Sequence, residues 1–405
     1  MVITRTREEV LSSPRLSDRR GRFGGVVVIG GANIDLRGRP VGEVLERHTS
    51  NPGKINVGSG GVGRNIAHNL ALLNVPVTLL SAVGDDGEGI RILEETGKDG
   101  VKMEQMIISG EHPTGIYLAI LDEKGEMEVA VSDMRILEEI TVEYLRSKAY
   151  LIKESKIVVM DTNIPEESIE YMVELCNKVK VPLLIEPVSV EKAKKLRKVL
   201  GESGSGSGRG RGSENESERG SGSESGRESE SESGRESEKC SGRWAIDYIT
   251  PSKDELESIL GIEIDSDQDI SLVRAAEELK DKGVRNLIIT LGERGIYFSS
   301  GGSGGGVSDF SEGEQGDLEP GKFMAPYKGE VVDVTGAGDA LVAGLVYGIY
   351  KGYSLEMGAR FGLAAAALTI STKEAVRRDL REGLLRSRIE EEKEEGEAGK
   401  GGRLL

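Results

Sequence analysis

The sequence predicts an α/β fold with a mainly parallel central sheet and a small β lid. Short aliphatic, β-branched runs stopped by glycine or polar residues recur along the chain, and amphipathic helical stretches fall between them. Two other segments break that pattern by alternating apolar and polar residues. The first run is Val26-Val27-Val28-Ile29 ahead of Gly30-Gly31, and 77–83, 157–160, 181–185 and 287–291 repeat it. Between them, Ile66, Leu70 and Leu73 put one apolar face on a helix over 64–73, and 165–177 and 269–282 read the same way. Continuous apolar strands alternating with helices imply a parallel sheet covered on both faces. Residues 33–58 and 112–133, with runs such as Gly115-Ile116-Tyr117-Leu118-Ala119-Ile120, suit a small antiparallel sheet with one exposed face.

Composition divides the chain. Residues 201–243 are almost wholly Gly, Ser, Glu and Arg, and SGRESE occurs at 225–230 and 233–238. So few apolar side chains cannot offset the entropy of ordering, which predicts a disordered insert. A second flexible insert is expected at 300–321, an N-terminal tail at 1–24 and a charged C-terminal tail at 377–405. One domain over 25–376 remains. The arginines before Phe23 admit a transit-peptide reading, but Glu8, Glu9 and Asp18 favour a solvated tail.

The net charge of −17 comes without a Lys/Arg stripe interleaved with aromatics, which argues against nucleic acid as a partner. No apolar run approaches membrane-spanning length. Cys176 and Cys240 make no disulfide framework, so a reducing, cytoplasmic setting is expected. His48, His68 and His112 lack metal-ligand spacing.

Three motifs carry chemistry. Val332-Asp333-Val334-Thr335-Gly336-Ala337-Gly338-Asp339-Ala340-Leu341 reads as a strand end, a glycine turn and a helix start. Backbone N–H groups at such a turn, with the positive end of the helix dipole, make a cradle for an anion. A lone glycine turn more often serves packing, but Asp339 would repel the anion unless it has a task there, such as accepting a proton. Gly60-Gly61-Val62-Gly63-Arg64-Asn65 precedes the first helix, and its Asn65 can both donate to and accept from a hydroxyl; a packing turn is the competing reading. Asn33 and Asp35, two apart on an extended segment, point the same way and suit adjacent hydroxyls of a sugar, or else form an Asx turn. A P-loop is absent from the sequence.

In their order and spacing these motifs resemble the ribokinase-like (PfkB) carbohydrate and nucleoside kinases, from about Val26 to about Thr372. Within that family, Ser50-Asn51-Pro52-Gly53-Lys54-Ile55, residues 60–74, Val131-Ser132-Asp133-Met134-Arg135-Ile136-Leu137 and EPVS at 186–189 are similar to the pseudouridine kinase subgroup. The resemblance implies a three-layer ribokinase-like sandwich and ATP-dependent phosphorylation of the 5′-hydroxyl of pseudouridine. The alternatives are another nucleoside or sugar acceptor and, in a different class, a catalytically silent nucleoside sensor.

On the same resemblance Asp339 is the catalytic base, and the N–H groups of Gly336, Ala337 and Gly338 hold the phosphoryl group. Asn33, Asp35, Gly60, Gly61 and Asn65 bind the acceptor, with Lys54 as a further candidate. Ser252, Thr290 and Gly292 meet ATP, with Ser252 standing where Asn is usual. Glu255 helps place Mg²⁺, Asn163 and Glu186 lie near the phosphates or Mg²⁺, and the carbonyls of Asp333 and Thr335 are candidates for K⁺. The partners expected are a small-molecule acceptor and ATP, with a homodimer through the lid as one further arrangement.

Overall fold

The computed structural model describes residues 24–42, 45–122, 127–201, 245–265, 268–301 and 321–401. The N-terminal tail expected at 1–24, the 201–243 insert and the 300–321 insert lie almost wholly outside the described residues.

Strands β1 (Val26–Ile29), β2 (Asn33–Pro40) and β3 (Gly53–Gly60) lead into helix α1 (Val62–Leu72). Then come β4 (Val77–Leu80), β5 (Ala82–Gly84), helix α2 (Gly87–Lys98), β6 (Ile107–Ser109), β7 (Gly115–Leu121) and β8 (Met127–Asp133). The middle of the chain holds β9 (Ile157–Asp161), helix α3 (Glu166–Val179), β10 (Leu183–Glu186), β11 (Ile246–Ile249), helix α4 (Lys253–Leu260), helix α5 (Asp269–Asp281) and β12 (Val284–Thr290). Strands β13 (Ile296–Ser300) and β14 (Lys322–Met324) precede helices α6 (Ala337–Tyr350), α7 (Leu355–Ile370) and α8 (Glu382–Gly401).

The central sheet has the order β14-β13-β12-β11-β10-β9-β1-β4. It is parallel from β4 through β12 and antiparallel at β13 and β14. The period-2 pleat explains why β1 reads as an unbroken apolar run. Val26 and Val28 pack with α1, α6 and α7 on one face, while Val27 and Ile29 pack with α3 and α5 on the other. Helices on both faces make the three-layer sandwich. The lid is a second sheet, β3-β2-β7-β8.

Four readings are corrected. The lid is mixed rather than antiparallel, because β2 and β7 pair in parallel. The chain between them runs through α1 and the central sheet, the long crossover that parallel pairing needs. The single run 77–83 divides at Ser81, whose carbonyl accepts from Ile107 N, and β5 pairs with β6 in a separate two-stranded sheet. Residues 331–335 form no strand: the N–H groups of Val332 and Asp333 turn to Ile370 O at the end of α7, and Val331, Val332 and Val334 are exposed. The segment 377–405, read as a tail, carries α8, and Leu380, Leu385 and Ile389 are buried in the core.

Candidate active site

The carboxyl ends of the parallel strands are where α/β folds gather ligand groups. Here β1 ends at Gly30-Gly31, β9 at Asp161, β10 at Glu186, and β12 at Thr290. Asp161, 1 % exposed, organises this end of the sheet. Its Oδ2 accepts from Gly31 N and from Gly63 N, each at 2.8 Å, and its Oδ1 accepts from Asn163 N at 2.9 Å. One carboxylate thus fastens the turn after β1 to the first turn of α1. Burial pushes its pKa up, against the pull of those backbone donors.

Gly61 is the residue before α1, with φ 96°, and a Cβ there would lie 2.4 Å from Gly31 O. Only glycine allows the two turns to touch. This contact brings Asn65 against Asp339: its Nδ2 donates to Asp339 Oδ2 at 2.8 Å. Asp339 itself comes from the first turn of α6, which Gly336 precedes as the cap. Gly336 takes φ 78°, and a Cβ on it would strike Ala375 O at 2.1 Å. Beside Gly338 the space is open, with no atom within 4 Å of a Cβ built there. Ala337 N already donates to Val334 O at 3.2 Å, so a phosphoryl group using that donor has to displace the turn bond.

Desolvation raises the Asp339 pKa to about 7; Asp161 and Asp35 push it the same way, while the Asn65 amide and Arg64 pull it down. A carboxylate of that basicity takes a proton from a hydroxyl more readily than an ordinary aspartate.

Asn33 and Asp35 lie on one face of β2, and Asn33 Nδ2 donates to Asp35 Oδ1 at 2.7 Å. Burial raises the Asp35 pKa. Arg37, next on that face, donates through Nη1 to Asp333 Oδ2 at 3.1 Å and lies 3.8 Å from Asp35. It therefore ties the lid to the loop before α6. Thr335 N donates to Asp333 Oδ1 at 2.9 Å, fixing the loop that carries the two cation candidates. Gly60 pairs with Asn33 in the lid register, but Lys54 pairs with Arg39 at the other end of the strand. That separation is about 20 Å at 3.3 Å per residue, so the structure does not bring Lys54 to the site.

The nucleotide-side candidates do meet. A cavity of about 420 Å³ is lined by Ser252, Lys253, Asp254, Thr290, Leu291, Gly292 and Arg294. Ser252 caps α4: its Oγ accepts from Glu255 N at 3.3 Å, and its own N–H donates to Glu255 Oε2 at 2.8 Å. This reciprocal box occupies the serine and one oxygen of the carboxylate. Glu186 accepts from Thr250 Oγ1, and burial, then the nearby Glu255 charge, raises its pKa well above the usual carboxylate range. Two carboxylates that repel one another fit a divalent cation. Among the described residues no group of three His, Cys, Asp or Glu forms a metal cage, so a Mg²⁺ would need phosphate and water ligands as well. Asn163 Nδ2 would stand 3.1 Å from a Cβ on Gly31, and Asn163 Oδ1 accepts from Lys192 Nζ.

Sequence reasoning missed two residues. Asp161 stood beside Asn163 at a strand end, the signal that could have singled it out. Arg64, in the first turn of α1, is 2 % exposed. It gives hydrogen bonds to Thr96 Oγ1 (3.0 Å), Ser59 O (2.8 Å), Asn65 Oδ1 (2.9 Å) and His68 Nδ1 (3.0 Å). Burial lowers its pKa to about 10.

The pfkB family carbohydrate kinase model matches residues 24–203 and 236–380. The chain is 34 % identical over 346 residues to pseudouridine kinase of Escherichia coli (strain K12), covering 85 % of this chain and 90 % of that protein. It is 30 % identical over 161 residues to guanosine-inosine kinase of Exiguobacterium acetylicum, covering 39 % of this chain and 52 % of that one. The structure of Arabidopsis thaliana ribokinase complexed with ribose and ATP superposes with a TM-score of 0.65 at 20 % identity, covering 90 % of this chain and 98 % of the other. Among the described residues no helix is long and apolar enough to cross a membrane.

Proposed function

Because the chain belongs to the pfkB family of carbohydrate kinases, phosphotransferases that act on hydroxyl groups, we propose that it transfers the γ-phosphoryl group of ATP to the 5′-hydroxyl of pseudouridine. The observation that carries the reaction type is the 2.8 Å bond between Asn65 and Asp339, which joins the acceptor-side turn to the phosphoryl-side helix. The similarity to the Escherichia coli pseudouridine kinase over 85 % of the chain supports the acceptor.

In this reading Asn33, Asp35 and Asn65 hold the ribose so that O5′ faces Asp339. The O5′–P bond forms as the bond from the γ-phosphorus to the bridging oxygen breaks, and ADP leaves with that electron pair. The O5′ proton passes to the Asp339 carboxylate. N–H groups of the Gly336–Gly338 turn and the α6 dipole stabilise the charge on the transferring group. Ser252, Thr290 and Gly292 line the nucleotide cavity. Glu186 and the free oxygen of Glu255 would hold Mg²⁺ with phosphates and water, and the metal supplies charge neutralisation there. The carbonyls of Asp333 and Thr335 are the place for K⁺ in the same reading.

The test is a panel of pseudouridine, uridine, inosine, guanosine, adenosine and ribose with ATP and Mg²⁺, read as phosphorylated product by mass spectrometry. Pseudouridine 5′-phosphate should dominate, and faster turnover of ribose or adenosine overturns the assignment. A second reading, a purine nucleoside acceptor, is favoured by the partial similarity to guanosine-inosine kinase, and the same panel decides it. The silent-sensor reading gives way to the family assignment.

A further inference from the structure

We propose that Arg64 is a positioning residue: it sets the orientation of the Asn65 carboxamide and thereby holds Asp339 as the proton acceptor. This rests on the kinase reading above. The placement of Arg64 calls for a reason. It is buried in the first turn of α1, where the helix dipole disfavours a cation. None of the ion pairs found among the described residues includes it, and all four of its hydrogen-bond acceptors are neutral.

The direction of those bonds is fixed by chemistry. A guanidinium has donors only, so the Asn65 atom facing Arg64 Nη1 has to be the oxygen. The Asn65 NH₂ then faces Asp339 Oδ2, as found at 2.8 Å. An inverted amide would put NH₂ against the guanidinium and C=O against the carboxylate, two repulsive contacts in one rotation. By the same logic His68 Nδ1 accepts from Arg64, so its Nε2–H donates to Asp99 Oδ2 at 2.7 Å. Burial and the neighbouring Arg64 keep that imidazole neutral, with a pKa of about 4. Arg378 in turn donates to Asp99 at 2.9 Å. Two directed series of bonds thus diverge from Arg64, one through Asn65 to Asp339 and the other through His68 to Asp99, which Arg378 also serves as a donor. The first occupies one oxygen of the Asp339 carboxylate and leaves the other for the acceptor hydroxyl.

Arg64 also acts on Asp339 through charge. The charged groups that face it are Asp35 from β2, Glu95 from α2, Asp339 from α6 and Arg378 before α8, with Asp99, at the end of α2, facing His68. Asp339 faces Asp161 from β9, Asp35 from β2 and Glu186 from β10 as well as Arg64, and of these only Arg64 pulls its pKa down against burial. Without Arg64 the base should protonate at higher pH, so the acid limb of kcat/KM moves upward.

The panel above is run first on the wild-type enzyme. Absence of any phosphorylated product there refutes the kinase reading, independently of Arg64. With the acceptor that turns over fastest, Arg64→Gln should lower kcat about 10-fold or more and move the acid limb up by about half a pH unit or more, with KM for ATP within about twofold. Arg64→Lys keeps the charge but loses the fork, so it should restore the limb while recovering kcat only in part. In an Asn65→Ala background, at a pH well above the acid limb, Arg64→Gln should cost less than about twofold further in kcat, because the hydrogen-bond route to Asp339 is gone and the charge effect is confined to the limb. A wild-type pH profile in Arg64→Gln, or full additivity with Asn65→Ala, overturns the proposal. Should Arg64→Gln lack a cooperative melt, Arg64→Lys decides: kcat identical to wild type overturns the proposal, and a partial loss with the limb in place supports it.

Discussion

The sheet-end cleft and the lid meet at one candidate site and are held together by opposite means. In the cleft, polar groups are held by other buried polar groups: Asp161 receives three backbone N–H bonds, and Arg64 gives four hydrogen bonds. In the lid, Ile55 is 70 % exposed, Val129 54 % and Val131 64 %, and a partly buried ion pair, Arg37–Asp333, joins β2 to the loop before α6. Groups that move protons and charge need fixed geometry, because a small misplacement costs rate. The cleft should therefore respond to substitution with large losses, and the lid beyond Asn33 and Asp35 with small ones.

The largest effect is expected at Asp339. Asp339→Asn should lower kcat by roughly 10²–10⁴-fold while acceptor affinity, read by calorimetry, changes little. In the proposed reaction Asp339 accepts the proton only when ionised, so wild-type kcat/KM should fall as pH drops through about 7, the value to which burial raises this group. An acid limb near pH 4 would count against Asp339 as the base.

Asp161→Ala should be costly in stability rather than chemistry alone. It leaves the N–H groups of Gly31, Gly63 and Asn163 without their acceptor. At about 1–3 kcal/mol for each buried orphan, a loss of at least about 3 kcal/mol is expected in denaturant unfolding. A variant as stable as wild type would show the cleft to be less rigid than its bonds suggest.

Acid should loosen the cleft through His68. Its pKa is about 4 in the fold against an ordinary 6.5. Below pH 6.5 the unfolded chain takes up a proton that the fold refuses until pH 4. The His68 contribution to stability therefore falls across that window by on the order of 3 kcal/mol, while Asp339, raised to about 7 by burial, works in the opposite direction. Melting temperatures from pH 7 to 4 should decline less steeply in His68→Gln.

The smallest effects belong to the lid. Arg37→Ala breaks a partly exposed pair worth about 1 kcal/mol or less, so KM for the acceptor should rise no more than about fivefold with kcat nearly constant. Lys54→Ala, at the far end of β3, should change neither constant by more than about twofold. A kcat loss in Arg37→Ala comparable to that of Asp339→Asn would erase the distinction between the two regions.

The same contrast explains what could be read from the chain. Buried parallel strands advertise themselves as runs such as Val26–Ile29, and a glycine turn that must touch another backbone leaves glycines in sequence. Asn33, Asp35, Asn65 and Asp339 could be singled out because each is a hydrogen-bonding side chain at a short offset from such a turn, and the structure joins Asn33 to Asp35 and Asn65 to Asp339. Arg64 was not, because helical periodicity reports where apolar residues fall and assigns a charged one to solvent. The strand expected at Val332 failed because β-branched residues describe a preference, whereas the ladder partner is supplied by distant chain. The same holds for α8, whose few apolar side chains, Leu385 and Ile389, find the core amid many charges. Lys54 shared a motif with site residues but not their end of the strand.

Asp161 has a further consequence. A single oxygen accepts from both Gly31 and Gly63, so two segments far apart in sequence shift together or not at all. For anyone redirecting this kinase to a new acceptor, randomising those turns would mostly yield proteins that do not fold. Libraries are better placed at 35, 37 and 115–119, on lid strands that this tether does not hold.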